Sequence, residues 1–177
     1  MMRSWPLIAA MFLALGGLSA VAGYEMAPPR AAQWREIAWP FPRDGWPTGR
    51  AFRCNASDCG ADVEVYARPK LGFCNCDSGV ADDDEVDRVA DVDMISPRFV
   101  PRKAGDVVDV AEMPGRIRAY DLDGHRTAIG IAVSHRCDLM AVAAQGSGDV
   151  ADVQREVLAF LGSRAITTWM VAAMNGR

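Results

Sequence analysis

Five cysteines are the residues of this chain whose type and spacing could do chemistry: Cys54, Cys59, Cys74, Cys76 and Cys137. Cys54 and Cys59 bracket the loop Asn-Ala-Ser-Asp, and Cys74-Asn75-Cys76 follows on the next segment. In an oxidising compartment, clustered cysteines bridge by default. The spacing is therefore expected to join Cys54 and Cys59, in some order, to Cys74 and Cys76. A bond within Cys74-Asn75-Cys76 is disfavoured, because Cα atoms two residues apart on a strand lie roughly 6.5 Å apart, at the edge of disulfide reach. If reduced, Cys54, Cys59, Cys74 and Cys76 offer four thiolates, a donor set suited to zinc or copper(I). The pattern is neither the paired Cys-x-x-Cys of common structural zinc sites nor a thioredoxin-like redox motif. Cys137 stands apart. Its ordinary role is that of a small buried hydrophobe. Its chemical role needs His135, two residues earlier, as a base or a co-ligand. A strand would put both on one face, but a turn expected over His135 to Asp138 works against that.

Other constellations are missing or incomplete. The histidines are His125, at an expected hairpin tip, and His135, and no His-x3-His spacing exists. There is no nucleophile elbow, phosphate loop or dinucleotide fingerprint; Gly146-Ser147-Gly148 reads as a linker. Asp82-Asp83-Asp84-Glu85 and Asp121-Leu122-Asp123-Gly124 invite a calcium reading, yet neither has the alternating ligands and closing acid of an EF-hand loop. Trp34, Trp39, Phe41 and Trp46 offer rings for a sugar or peptide platform. The plainer expectation is that they pin a strap to the domain. No cofactor is implied.

The first residues decide the compartment. Arg3 is the only charge before Glu25, Leu7 to Leu18 is apolar apart from Gly16 and Gly17, and Ala20-Val21-Ala22 supplies the small residues of a cleavage site. This is the pattern of a cleavable secretory signal over residues 1–22, and the run is too short for a membrane anchor. No cysteine follows the cleavage point, so lipid attachment is not expected. No later segment is apolar enough to span a bilayer. Cleavage after Ala22 removes one arginine from 19 basic residues and none of the 23 acids. An acidic mature chain without a basic cluster argues against nucleic acid as a partner. Heavy use of Ala, Val, Asp, Arg and Gly fits a bacterial gene of high GC content. The expected location is the periplasm or the medium.

The elements that must position these residues follow from periodicity. Residues 23–49 are rich in proline and tryptophan and read as an extended strap, with a short helical turn allowed over Ala31 to Ala38. Residues 50–177 form one disulfide-stapled domain. Strands are expected at Arg50 to Asn55 and Ala61 to Arg68, with a turn at Pro69-Lys70-Leu71-Gly72 and Phe73 to Asn75 pairing back. A single acidic-start helix is expected over Ala81 to Asp93. A strand at Val107 to Ala111 precedes a meander of Arg116 to Leu122, Arg126 to Ser134 and Leu139 to Ala144, its first turn at Asp123-Gly124. Helices follow from Asp149 and from Ala165, the first carrying Val150, Val153, Val157, Leu158 and Leu161 on one stripe. The class is α+β, an antiparallel sheet with helices gathered on one face. In element order it is similar to the Mog1/PsbP-like exported domains, in which a C-terminal helix closes a meander. That resemblance is one of element order, and no activity is carried over from it.

The function expected from these residues is a non-catalytic binding or accessory role in the bacterial cell envelope, with an envelope protein or small ligand as partner. The competing readings are a copper-, zinc- or thiol-handling accessory protein built on Cys54, Cys59, Cys74 and Cys76, and a small envelope hydrolase or transferase with no identifiable catalytic residues.

Overall fold

The computed structural model describes residues 33–73, 75–123 and 126–176. The expected signal segment and cleavage site, Cys74, Gly124 and His125 lie outside them.

The described chain forms eight strands: β1 (Arg35–Ile37), β2 (Arg50–Cys54), β3 (Val63–Lys70), β4 (Phe99–Pro101), β5 (Asp106–Val110), β6 (Met113–Leu122), β7 (Thr127–His135) and β8 (Asp138–Gly146). Five helices accompany them: α1 (Ala56–Cys59), α2 (Asp83–Val89), α3 (Val92–Ile95), α4 (Val150–Leu161) and α5 (Arg164–Met174). All strands join one antiparallel sheet in the order β1-β2-β3-β8-β7-β6-β4, with β5 sharing the outer edge of β6 with β4. The expected meander is β6, β7 and β8. The class is α+β, as the periodicity indicates.

The helices do not gather on one face. α4 and α5 press Val153, Val157, Leu161, Ile166 and Met170 onto the face bearing Val65, Ile117, Ile129, Ile131, Val133 and Val142. α2 and α3 cover the opposite face, placing Val86, Val89 and Val92 against Tyr120, Ala128, Ala132 and Leu139. The reason is written in β7, where large and small residues alternate. Ile129, Ile131 and Val133 fill the first face, while Ala128, Gly130 and Ala132 leave the second shallow enough for a helix to lie close. Every residue from Thr127 to Ser134 is buried, the pattern of a strand covered on both sides.

Four further expectations are corrected. Residues Arg35–Ile37 form an edge strand on β2 rather than a helical turn. β3 does not turn at Pro69 but runs on to Lys70, pairing Pro69 with Met140 and Lys70 with Leu139. β2 stops opposite Ala67, so Pro69 sits on a locally free edge where a missing amide donor is tolerated. The turn comes at Leu71-Gly72, and Asn75 bridges Gly79 rather than β3. The acidic helix is two pieces, α2 and α3, broken where Asp91 adopts a left-handed backbone with φ 60°. Its start behaves as the sequence indicates: Asp82 accepts from the Glu85 amide at 2.9 Å, and Glu85 accepts from the Ala81 amide.

Among the described residues no single helix is long and apolar enough to cross a membrane. α4 and α5 bend by 70° at Gly162-Ser163, so that both lay an apolar stripe on one curved face.

The close approach at Gly130 gives a test. A Cβ there would meet Ala90 Cβ at 2.9 Å, Tyr120 Cε2 at 3.0 Å and Val92 Cγ2 at 3.1 Å. Gly130→Ala should lower stability by about 1 to 3 kcal/mol through overpacking, measured by urea unfolding.

Candidate functional site

The cysteines come first because their bonding removes most of their chemistry. Cys54 is bonded to Cys59 and Cys76 to Cys137, with Cα separations of 6.0 and 4.3 Å. The expected cross-pairing of the 54–59 loop with the 74–76 segment is therefore corrected. Between Cys54 and Cys59 the chain makes the single turn α1, ended by Gly60 in a left-handed conformation, which brings the two sulfurs together. Because β3 runs straight on past Pro69, it delivers the following segment to the start of β8 instead of back beside β2. The Gly72 amide donates to Asp138 Oδ1 at 2.7 Å, one residue beyond Cys137. In this oxidised state Cys54, Cys59 and Cys76 carry no thiolate for a metal. His135 lines a small cleft of about 320 Å³ with Ser134 and Cys76, but the Cys137 sulfur is spent on Cys76. Among the described residues no group of three or more His, Cys, Asp or Glu side chains is placed to hold a metal ion.

The second feature is a buried ion cluster that no local motif marks. Alternation puts Glu64, Tyr66, Arg68 and Lys70 of β3 on the face covered by α2 and α3. Arg68 and Lys70 are 5% and 4% exposed. The Asp91 carboxylate takes both, Oδ2 accepting from Arg68 Nε and Oδ1 from Lys70 Nζ, each at 2.6 Å. Lys70 Nζ also donates to the Val89 carbonyl at 2.9 Å. Asp44, on the strap, closes the cluster by accepting from Arg68 Nη1 at 2.7 and 2.8 Å. Burial works against the Arg68 charge, but the two carboxylates outweigh it and raise its pKa. The Arg68 guanidinium in turn holds the Asp44 carboxyl below its ordinary value. Every charge here is answered within the protein, so the cluster is built to hold elements together.

The acidic run meets the same fate. Asp83 accepts from the Gly105 amide at 2.8 Å and from Arg116 Nη2 at 2.6 Å, and these two contacts hold its carboxyl below the usual range. Asp87, one turn on, accepts from Arg118 Nη1 and from the Tyr120 hydroxyl, both at 2.7 Å. Tyr120 is fully buried, and burial followed by the Asp87 carboxylate pushes its phenol well above the ordinary value. Of the acidic run suggested for calcium, Asp82, Asp83 and Glu85 are thus turned to protein donors. Asp121 lies 3.4 Å from Arg102 at the surface.

Two open grooves of about equal volume lie at the β2 end of the sheet. The aromatic one, about 500 Å³, lies on the α4–α5 face at the β1 edge and is lined by Trp34, Arg50, Phe52, Phe160 and Ile166, with Glu36 and Glu156 at its rim. Trp34 stacks on Phe160 at 4.2 Å between ring centroids, and the Arg50 guanidinium lies 5.0 and 5.1 Å from the Phe52 and Trp169 rings. Glu36 fixes Arg50 with hydrogen bonds at 2.8 and 2.5 Å. The other expected platform rings are half-buried and pack on neighbouring rings: Trp39 and Phe41 meet Tyr66 edge-on, and Trp46 meets the exposed Phe73.

The polar groove, also about 500 Å³, lies on the opposite face and is lined by Arg53, Asn55, Asp62, Glu64, Arg126, Gln145 and Ser147 among others. Glu64 accepts from Arg53, from the Tyr66 hydroxyl and from Gln145 Nε2 at 2.8 Å. Burial pushes the Glu64 carboxyl up, but these three donors together bring it below its ordinary value. The Tyr66 phenol, buried and beside that carboxylate, is pushed up to about 12. It stays protonated at neutral pH and serves as a donor, not a nucleophile.

Two outcomes follow. Asp91→Asn should cost about 3 to 5 kcal/mol, because it leaves two buried cations without their shared anion. Asp44→Asn, at a site whose carboxylate is 43% exposed, should cost about 1 kcal/mol or less. Equal losses in urea unfolding would refute the central role of Asp91. The lowered carboxyls of Asp83 and Glu64 contribute stability that is present above their unfolded pKa and lost as pH falls through the folded one. The urea midpoint should accordingly drop as pH falls below about 4, and Asp83→Asn should flatten that dependence.

Comparison of the chain with protein-family models, with curated proteins and with solved structures finds no match.

Proposed function

We propose that this chain is an exported, non-catalytic binding or accessory domain of the bacterial cell envelope that engages its partner at the aromatic groove between the β1–β2 edge and the α4–α5 bend. The observation that carries the proposal is that groove: stacked Trp34 and Phe160, an apolar floor, and Arg50 held in place by Glu36. Aromatic rings give large contact area at low cost in side-chain entropy, and a fixed guanidinium supplies orientation. A sugar ring and an extended peptide with apolar side chains both suit such a surface.

Two disulfides are consistent with an oxidising, extracellular or periplasmic setting. A metal- or thiol-handling role would require Cys54, Cys59 and Cys76 in reduced form. A hydrolase would require a nucleophile beside a free base. The carboxylates and tyrosines described above are engaged in internal contacts instead.

The test places a photo-crosslinking residue at Ser163, on the groove rim, in protein exported from bacterial cells, with an equivalent at Val107, 75% exposed on β5, as control. A discrete adduct from position 163 but not 107, lost on Trp34→Ala in folded protein, is expected. Equal adducts from both positions, or none from folded exported protein, would sink the proposal.

A further inference from the structure

The polar groove carries an inference independent of the aromatic one. Its floor is a cross-strand row. Arg53 of β2 sits opposite Glu64 of β3, and Glu64 opposite Gln145 of β8. Arg126, at the entry to β7, donates from Nη1 to Gln145 Oε1 at 2.7 Å. Four side chains are thereby locked in one hydrogen-bonded chain before any ligand arrives.

What this chain leaves unused decides the ligand. Both Glu64 oxygens are taken, one by Arg53 and the other by Tyr66 and Gln145. The Gln145 carbonyl oxygen is taken by Arg126. Asp62 turns Oδ1 to the Ala56 amide at 3.1 Å, at the start of α1. The acceptors lining the groove are therefore largely satisfied. The donors are not: Nη1 of Arg53, Nε and Nη2 of Arg126, the Asn55 carboxamide and the Ser147 hydroxyl make no side-chain hydrogen bond among the described residues.

Charge points the same way. Glu64 neutralises Arg53, whereas Arg126 has no carboxylate within ion-pair distance among the described residues. One guanidinium without a direct ion pair, anchored through its amide partner and surrounded by spare donors, suits a ligand with one negative charge and oxygens in a plane. A carboxylate matches the guanidinium fork in that geometry. Asp62 remains as the local counter-charge and disfavours a dianion such as phosphate.

We propose that this groove binds a carboxylate-bearing small molecule, with Arg126 taking the carboxylate and Arg53, Asn55 and Ser147 supplying further donors. A uronic sugar and a simple organic acid carry that chemistry alike. Calorimetric titration of the full exported protein with galacturonate, galactose, acetate and inorganic phosphate separates them. Galacturonate is expected to bind with an affinity that weakens as salt is added. Arg126→Ala is expected to weaken it at least about ten-fold, in line with the loss of a charged hydrogen bond. Arg126 is exposed, so the variant should keep its fold, checked by circular dichroism. Arg164→Ala, an exposed arginine outside both grooves, should leave binding unchanged. Acetate binding as well as galacturonate points to an organic acid, and galacturonate binding far better than acetate points to a uronic sugar. The proposal is overturned if galactose binds as well as galacturonate, if phosphate binds better, if a folded Arg126→Ala variant binds unchanged, or if neither carboxylate binds at millimolar concentration. None of these results bears on crosslinking at the aromatic groove, so the two readings fail separately.

Discussion

The carboxylate of Asp91 is the constraint on which the second face of the sheet depends. Arg68 and Lys70 point into that face because β3 alternates, and neither can be buried without an anion. Asp91 supplies one oxygen to each. To reach them its backbone leaves the helix for a left-handed conformation, which is why the acidic segment is two helices rather than one. Asn and Asp are the non-glycine residues that tolerate that conformation best. Asp44 then brings the strap to the exposed side of Arg68. One ion cluster thus sets the angle between α2 and α3 and the path of the proline-rich segment. A buried ion pair is weak support for net stability, since hydrophobic residues of the same volume often do as well. Its contribution here is to exclude other arrangements: a shift of β3 by one residue would send both cations into the opposite core.

The same register logic explains what could be read from the sequence. β6, β7, β8 and the two C-terminal helices were legible because each carries its own period: Ile129, Ile131 and Val133 every second residue, Val153 and Val157 one helical turn apart. The acidic helix is legible from its cap and its Val86, Val89 and Ala90 stripe, but its place on the second face is not, although the small residues Ala128, Gly130 and Ala132 leave room for it. Small side chains on a strand satisfy an apolar count equally well whether they are covered or exposed. Only the close approach of Ala90 and Val92 shows which applies. Arg68 and Lys70 are harder still, because a charged residue alternating with apolar ones reads as a solvated face and Lys70 falls in the turn that Pro69 suggests.

The disulfides show how one misplaced turn propagates. Pro69 marks a turn in most contexts, and a turn there would have laid Cys74 and Cys76 beside Cys54 and Cys59. Because β2 is short, Pro69 falls beyond its reach and pairs with β8 alone among the described strands, and the strand continues. Its end meets the β7–β8 hairpin, so Cys76 bonds to Cys137, a residue that looked unrelated. Connectivity was a consequence of sheet order, which spacing between cysteines does not encode.

The positions of the two grooves follow from where the covering layers run out. Helices cover the middle of β6, β7 and β8 on both faces, and the side chains there are consumed by packing or by ion pairs such as Arg116 with Asp83. At the β2 end, α4 and α5 cover one face incompletely, leaving Trp34, Arg50 and Phe52 beside open space. On the other face α2 and α3 do not extend over the row from Arg53 to Gln145. Binding surfaces are expected where a rigid sheet meets incomplete cover. Neither could be read from spacing, because each groove assembles residues from strands and loops far apart in sequence. Glu64 and Gln145 are 81 residues apart and meet only because β8 lies next to β3. The residues nearest to recognisable motifs became structural, and those with ordinary local sequences were left facing solvent with donors to spare.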